Sequence, residues 1–404
     1  MNNYMNDNII CRVVSSFEAL TDFQKEWDEF VLNVNSTIYM SFDWCRIWWK
    51  FYGFNKKLII MHFLFNEKLI GIIPLYIEKV WFGPIWLKVA RLIGSNIPPK
   101  VFDPPIEEQY TETIMKMVLK QIFIKHLCDI LSMGPLSGLY KPIYSLLEIK
   151  KKSPDLVGKV KKVYMGKHTV FFLPDSFEKY LTSLRKNERK NRRKYELRLL
   201  KKNYTVKVDT VNDETQLTSE FNNFIQLHTK QWNQKKKLGH FKAWPLAVDY
   251  NSALAHFYLK AKRLRLIRLI ANDTVISYQY AFSFGNSYYW QLPGRETGSE
   301  WKHYSLGHTG LVTMIKNAIE EGKTKIEGGL GHYPYKLRLG GTEYNATTIR
   351  FTANRPGSII RVTLFYFFFR IYDRMYHIWY GRIQPHLPQK MRHHISWSWL
   401  RLNF

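Results

Sequence analysis

The sequence predicts a mixed α/β protein of two related domains followed by an aromatic helical tail, and three patterns predict it. A helix followed by a β-hairpin fills the first part of the chain, ending near Tyr76. The same order returns in the second half, with the two hairpin turns 206 positions apart. Beyond the second hairpin come a third strand, a long helix and a further strand, which is the order of a mixed sheet whose last strand is reached by a crossover helix.

Phe17, Leu20, Phe23, Trp27, Phe30 and Val31 recur at helical spacing and predict a helix over Phe17–Val34. Ser41 opens a second helix that runs to Tyr52 and is closed by Gly53. Leu58–Phe65, the turn Asn66-Glu67 and Lys68–Tyr76 form the first hairpin, and a helix follows around Glu112–Lys125. In the second half, helix Glu220–Trp232 precedes strand Leu264–Ala271, turn Asn272-Asp273 and strand Val275–Phe284. Aligned on their turns, Phe63–Ile70 and Leu269–Ile276 place apolar opposite apolar, Asn opposite Asn and acid opposite acid, which points to a duplication. Gly285-Asn286 turns into strand Ser287–Leu292, and the loop Pro293–Tyr304 leads to helix Leu306–Glu321. That helix lines up Leu311, Met314, Ile315, Ala318 and Ile319 and ends at Gly322. Strand Thr324–Glu327, the run Gly328-Gly329-Leu330-Gly331, the segment Pro334–Lys336 and a last strand Thr347–Phe351 complete the pattern. The domains expected are residues 1–165, 166–355 and a tail, 356–404.

The chain has 404 residues, 46% apolar and 23% charged, the balance of a folded globular protein. Its three cysteines, Cys11, Cys45 and Cys128, are scattered and form no CxxC, so neither a disulfide framework nor a zinc site is expected. The first seven residues lack the pattern of a secretory signal, no run of about 18 uncharged apolar residues occurs, and a cytoplasmic protein is the expectation. The formal net charge of +27 calls for a polyanionic neighbour: nucleic acid, an anionic membrane surface or a phosphate-rich substrate. No GxSxG, HExxH, Walker A or GxGxxG pattern is present, which removes the footing for hydrolase, metalloprotease, NTPase and dinucleotide chemistry.

Leu184-Arg185-Lys186 with the basic stretch after it, Leu227-His228 with Gln231-Trp232, Ser305-Leu306-Gly307 before a helix, and Glu327-Gly328 leading to Tyr335-Lys336 occur in a telling order. In these residues the chain resembles the GNAT acyltransferase superfamily, in particular the CelD-type acetyltransferase-like domain, a relative of the Fem-type aminoacyltransferases. The resemblance covers about Phe171–Phe351 well and the first 150 residues loosely. It departs at Leu306, where the family pattern has proline. The resemblance implies two tandem GNAT-like domains, each a mixed, mostly antiparallel sheet flanked by helices, with the transfer chemistry in the second. It also implies acyl-CoA, acetyl-CoA first among its forms, as co-substrate, and no metal.

A GNAT enzyme binds the pyrophosphate of acyl-CoA at the N-terminus of the crossover helix, where unpaired N–H groups and the helix dipole favour an anion. The matching residues here are Arg295, Gly298, Ser305 and Gly307, with an ordinary N-cap as the plainer role for Ser305. Acyl transfer to an amine needs a base, an acid for the leaving thiolate and a donor for the carbonyl oxygen. Glu327 is the candidate base, Tyr335 the candidate acid, and Lys336 the candidate positive charge; core packing and a surface position are the plainer roles for the last two. His228, Trp232, Arg189, Arg192 and Arg193 are candidates for contacting substrate or a polyanion, and His332 stands near the same cleft. A helix is expected over Leu181–Lys202, with ten basic residues against two acidic ones. In the tail, Val362–Phe369 is aromatic and free of charge, and Trp379, Tyr380, Trp397 and Trp399 alternate with arginines and histidines. This suits either a membrane interface or a helix packed on the domains. The function expected is an N-acyltransferase acting on an amine, such as an amino sugar or a lipid-linked envelope precursor, at the inner face of the membrane. The alternatives are a Fem-type enzyme drawing on aminoacyl-tRNA and a catalytically silent scaffold of a polysaccharide-secretion complex.

Overall fold

The computed structural model describes residues 9–95, 100–191, 204–388, 391–392 and 395–403, with the side chains of 395–397 and 400 left aside. The chain divides into two compact units, Met1–Gly166 with Asn345–Gln384 and Ile395–Phe404, and Lys167–Tyr344 with Pro385–His394.

The first unit begins with β1 (Ile9–Val14), α1 (Gln24–Asn33) and α2 (Phe42–Tyr52). The hairpin β2 (Lys57–Phe65) and β3 (Lys68–Phe82) is followed by β4 (Ile85–Leu92), α3 (Thr111–Leu119), β5 (Ile130–Leu136), α4 (Ile143–Lys152) and the long β6 (Val157–Phe172). The helix expected over Phe17–Val34 is a 3-10 turn, Glu18–Leu20, and then α1, yet Phe17, Leu20, Trp27, Phe30 and Val31 are all buried as their spacing requires. In the sheet, β1 to β4 pair antiparallel in sequence order and β5 joins β4 in parallel, so α3 is a crossover helix.

The second unit repeats this plan. After α5 (Phe177–Ser183) come β7 (Val206–Thr210), α6 (Glu214–Gln234), α7 (His240–Ala243) and α8 (Ala247–Lys260). The meander β8 (Leu264–Ala271), β9 (Thr274–Phe284) and β10 (Ser287–Arg295) leads through a 3-10 turn, Ser299–Tyr304, to the crossover helix α9 (Leu306–Glu320). Then come β11 (Lys325–Leu330), the short α10 (Pro334–Arg338) and β12 (Thr342–Ala353). Here β7 to β10 pair antiparallel in order and β11 joins β10 in parallel. Each unit is completed by a strand from elsewhere in the chain: residues 345–353 of β12 beside β5 in the first, residues 168–172 of β6 beside β11 in the second. The duplication extends to the turns. Asn66 and Glu67 have φ of 48° and 64°, Asn272 and Asp273 of 45° and 60°, the paired left-handed conformation that lets a two-residue turn follow strand twist.

The expected helix Leu181–Lys202 is interrupted. Leu184 is extended at ψ 150°, which turns its side chain into the core between α5 and a new helical stretch at residues 186–191; residues 192–203, and with them Arg192 and Arg193, lie outside the described residues. Leu311, Met314, Ile315, Ala318 and Ile319 of α9 pack with Phe171, Tyr288, Trp290 and Ile326, as the helical spacing requires. Gly310 allows the close approach of this helix to β9, since an added methyl group would stand 2.4 Å from Gln279 Nε2 and 2.7 Å from Ser277 Oγ. Gly310→Val is therefore expected to destabilise the protein by about 1–3 kcal/mol through overpacking. A urea melt with an unchanged midpoint would show that the interface yields freely.

The tail packs into the first unit through α11 (Pro356–Ile378) and α12 (Ile395–Leu402). Val362, Phe365 and Phe369 bury against Val80, Leu87, Val89 and Ile130. The buried Asp129 carboxylate sits at the start of α11, accepting hydrogen bonds from Ser358 Oγ at 2.6 Å, from Arg361 and from the Lys88 backbone N–H at 2.9 Å. An anion there complements the positive end of the helix.

Candidate active site

The second unit opens where β10 and β11 part. Their parallel pairing joins Ser287 to Lys325, Tyr288 to Ile326 and Tyr289 to Glu327, and goes no further. β10 then bulges between Trp290 and Leu292 and runs on to Arg295, while β11 continues through Gly328 and Gly329. Lys336 enters this gap from α10. Its ammonium donates to Gly328 O at 2.6 Å and lies 5.2 Å from the Trp290 ring and 4.8 Å from that of Tyr333. The side chain is buried, and the carbonyl and ring faces compensate the lost hydration of its charge.

The mouth of α9 lies against the end of β10. Ser305 is left-handed, at φ 47° and ψ 48°, and its hydroxyl caps nothing. Its carbonyl instead accepts the N–H groups of His308 and Thr309, leaving those of Leu306 and Gly307 at the very start of the helix. Leu306, the departure from the family pattern, is buried, and the helix begins there without proline. Gly307 makes room for a cation: a methyl group on it would come within 3.3 Å of Arg295 Nε. Arg295 in turn faces Tyr335 on α10. Burial, with nearby Tyr333, pushes the Tyr335 phenol above the ordinary tyrosine range, and the Arg295 charge only partly offsets this. Arg295, Gly307 and Tyr335 thus converge on one helix mouth.

Three groups missed in the sequence hold this arrangement. Glu188 accepts from His308 Nε2 at 3.1 Å and pairs with Arg338 at 3.4 Å, tying residues 186–191 to the first turn of α9 and to α10. Burial pushes His308 down, against the pull of Glu188. His168, on β6, meets Glu327 Oε2 at 2.6 Å. Nothing in the local sequence marks His168, because a pair of residues 159 positions apart is made by the strand pairing alone.

The other expected site residues fall outside this convergence. Glu327 is buried between His168 and Lys325, whose Nζ is 2.8 Å away; burial acts to raise its pKa, but hydrogen bonds and charge from those partners bring it down to about 2. Such a carboxylate is a poor proton acceptor, so the general-base role expected of it does not fit its surroundings. Gly298 borders the Glu300 carboxylate, 2.4 Å from where its Cβ would stand, which sets a negative charge beside the expected phosphate loop. His228 is fully buried on α6, bonded to Pro293 O at 2.6 Å and to His240 at 3.1 Å, and burial lowers it to about 4. It is a packing histidine whose partner Pro293 lies two residues before Arg295 at the strand end. Trp232 packs edge-on to His240 one turn further along. Arg189 is exposed and reaches Thr182 O at 3.4 Å, and His332 pairs with Glu343 at 2.8 Å at the start of β12. Among the described residues no group of His, Cys, Asp or Glu side chains could hold a metal ion.

Residues 182–337 match the acetyltransferase (GNAT) domain. The chain carries a GNAT domain. Its match spans α5 to α10 and contains the whole mouth of α9. The GNAT fold extends beyond that match. FemX is similar over 83% of this chain and 98% of its own, with a TM-score of 0.61 and 12% identity. A conserved protein of unknown function from Bacteroides thetaiotaomicron is similar over 85% and 100%, with a TM-score of 0.51 and 11% identity. A tandem GNAT protein from the clavulanic acid biosynthesis pathway aligns over 86% and 99%, at a TM-score of 0.43 and 9% identity. No curated protein matches the chain by sequence. The protein has a tandem GNAT-like fold, and the match to the GNAT domain lies in its second unit.

Proposed function

We propose that the second unit is an N-acyltransferase that moves an acyl group from acyl-CoA to an amine. The observation that carries this is the convergence of Arg295, Gly307 and Tyr335 at the mouth of α9, beside the gap between β10 and β11. The helix mouth and Arg295 would hold the pyrophosphate. The parted strand edges would take the extended arm that leads to the thioester. The amine nitrogen attacks the thioester carbonyl, a C–N bond forms, and the C–S bond breaks. Tyr335, whose phenol keeps its proton, gives it to the leaving thiolate, and the amine's proton passes to water at the open mouth. Lys336 keeps the gap open through Gly328 and adds positive potential where the carbonyl oxygen gains charge. Glu327 positions His168 and Lys325 behind β11.

The acceptor we favour is a hydroxyl-bearing amine, either an amino sugar or a lipid-linked envelope precursor. The end of α6 and the loop after β10 support this, because Trp232 Nε1, Gln231 Oε1, Asn233 Oδ1 and Thr297 Oγ1 are buried without a hydrogen-bond partner. Gln234 ties this wall to the loop through Thr297 O at 3.0 Å, two residues beyond Arg295. An aromatic wall with unmet polar groups suits a sugar ring better than an apolar amine.

Titration calorimetry with acetyl-CoA and longer acyl-CoAs tests the donor. Binding by the full chain is expected, and Arg295→Ala should weaken it about 10- to 100-fold by removing a charge-assisted contact to phosphate. If no acyl-CoA binds to folded protein, the donor assignment is wrong. Capture of aminoacyl-tRNA in that case would support the Fem-type reading, with Arg189 and the neighbouring basic residues on RNA backbone. Binding of neither donor would support the silent scaffold.

A further inference from the structure

The face of α11 turned away from the first unit is apolar where a surface helix is ordinarily polar. Its packed stripe is Ser358, Val362, Phe365, Phe369 and Tyr376, all buried, at spacings of four, three, four and seven, which keep to one helix face. On the opposite side stand Ile360, Leu364, Phe367, Phe368, Ile371, Met375 and Ile378, each between 41% and 64% exposed. At about 100° per residue these seven fall within roughly a 100° arc that contains no charged residue. A helix apolar on both sides is normally buried on both. Among the described residues, this one is covered on one side alone.

Cations line one border of the exposed face. Arg370 and Arg374 are exposed on the adjoining arc, and on β6 Lys161 sets its ammonium 4.0 Å from the Tyr366 ring of the same helix. Lys161 is close enough to Arg350, Arg370 and Lys159 for their charges to add to burial in lowering its pKa to about 8. The one acid of α11, Asp373, accepts from Trp399 Nε1 at 2.8 Å. In the described residues no helix is long and apolar enough to cross a membrane, so the face would lie along a lipid surface rather than pass through it.

We propose that the outer face of α11 docks this protein on an anionic lipid surface, with Ile360, Phe367 and Ile371 entering the acyl boundary and Lys159, Lys161, Arg370 and Arg374 on the headgroups. The charge complementarity selects the occupant. A second copy of this chain would bring the same cations against themselves, whereas an anionic headgroup layer neutralises them and the net charge of +27 behind them. The two parts act together, since apolar insertion alone is reversible and weak and a basic flank supplies the second anchor. Docked this way, the protein would work where a lipid-linked amine resides, but the docking stands independently of the acyl transfer.

Sedimentation of the full chain with phosphatidylcholine vesicles, with and without phosphatidylglycerol, tests this. Wild type should pellet with the anionic vesicles at low salt and far less with neutral ones. The combined variant Ile360→Ser, Phe367→Ser, Ile371→Ser changes only exposed side chains, so its melting temperature should hold while its partitioning falls about 100-fold. The variant Lys159→Gln, Arg370→Gln, Arg374→Gln should lose about as much at low salt and show little further salt dependence. Wild type remaining in the supernatant with anionic vesicles at low salt would overturn the proposal. So would wild-type partitioning by the serine variant. A wild-type dimer that the serine substitutions convert to monomer, seen by analytical ultracentrifugation, would assign the face to a second copy instead. None of these readouts requires an acyl donor, so failure here leaves the transferase reading standing.

Discussion

Tyr335→Phe should lower turnover by about 100-fold or more while leaving acyl-CoA affinity and thermal stability close to wild type. The reasoning starts from the proton. Burial, with Tyr333 close by, holds the phenol above its ordinary range, so at neutral pH it is a donor and not a base. Its ring packs against the core of the second unit, and phenylalanine keeps that packing. The loss should therefore appear in kcat, where the departing thiolate needs its proton, and not in the dissociation constant. The wild-type rate should show no loss from tyrosine ionisation through the neutral range, because the shift carries that ionisation to higher pH. A Phe variant with full turnover, once an acceptor is in hand, would remove the acid role from Tyr335.

Glu327→Gln should destabilise the protein at neutral pH by about 3 kcal/mol or more, the cost of breaking a buried pair and leaving its partners uncompensated. The size agrees with the carboxyl's descent from an ordinary 4.5 to about 2 on folding, each unit amounting to about 1.4 kcal/mol. The direction in pH follows. A carboxyl depressed in the folded state contributes stability that is fully present above its unfolded value and is lost as pH falls from about 4.5 to about 2. Wild type should lose stability through that window, the Gln variant should lack this component, and the two should approach each other near pH 2. Urea melts across the range measure the gap. A gap of the same size at pH 2 and pH 7 would mean that Glu327 acts through shape alone. Turnover of the Gln variant, measured where both proteins are fully folded, separates a structural Glu327 from a catalytic one, since loss of a general base would appear there.

The sequence by itself determined the second hairpin, its turn, the crossover helix and the apolar face that helix buries. Each of these is local: alternation sets a strand, a two-residue polar turn sets its register, and 3.6-residue spacing sets a helix face. It also determined the duplication, because Asn66-Glu67 and Asn272-Asp273 need the same left-handed backbone and so bear the same kind of residues. Tertiary structure alone decided what the site residues became. Glu327, beside two glycines at a strand end, has the look of a free base in the chain, and its pKa is settled by His168 and Lys325 reaching it across and along the sheet. Lys336 looks like a surface charge until β10 and β11 part and give it Gly328 O and two ring faces. His228 looks accessible until α6 folds over Pro293 and takes its water away. Leu184 breaks a helix that its sequence would otherwise continue, since burying a leucine in the core outweighs the small propensity of the basic stretch. Titration, burial and charge pairing depend on distances through space, and residues far apart in the chain acquire those distances only when the strands pair.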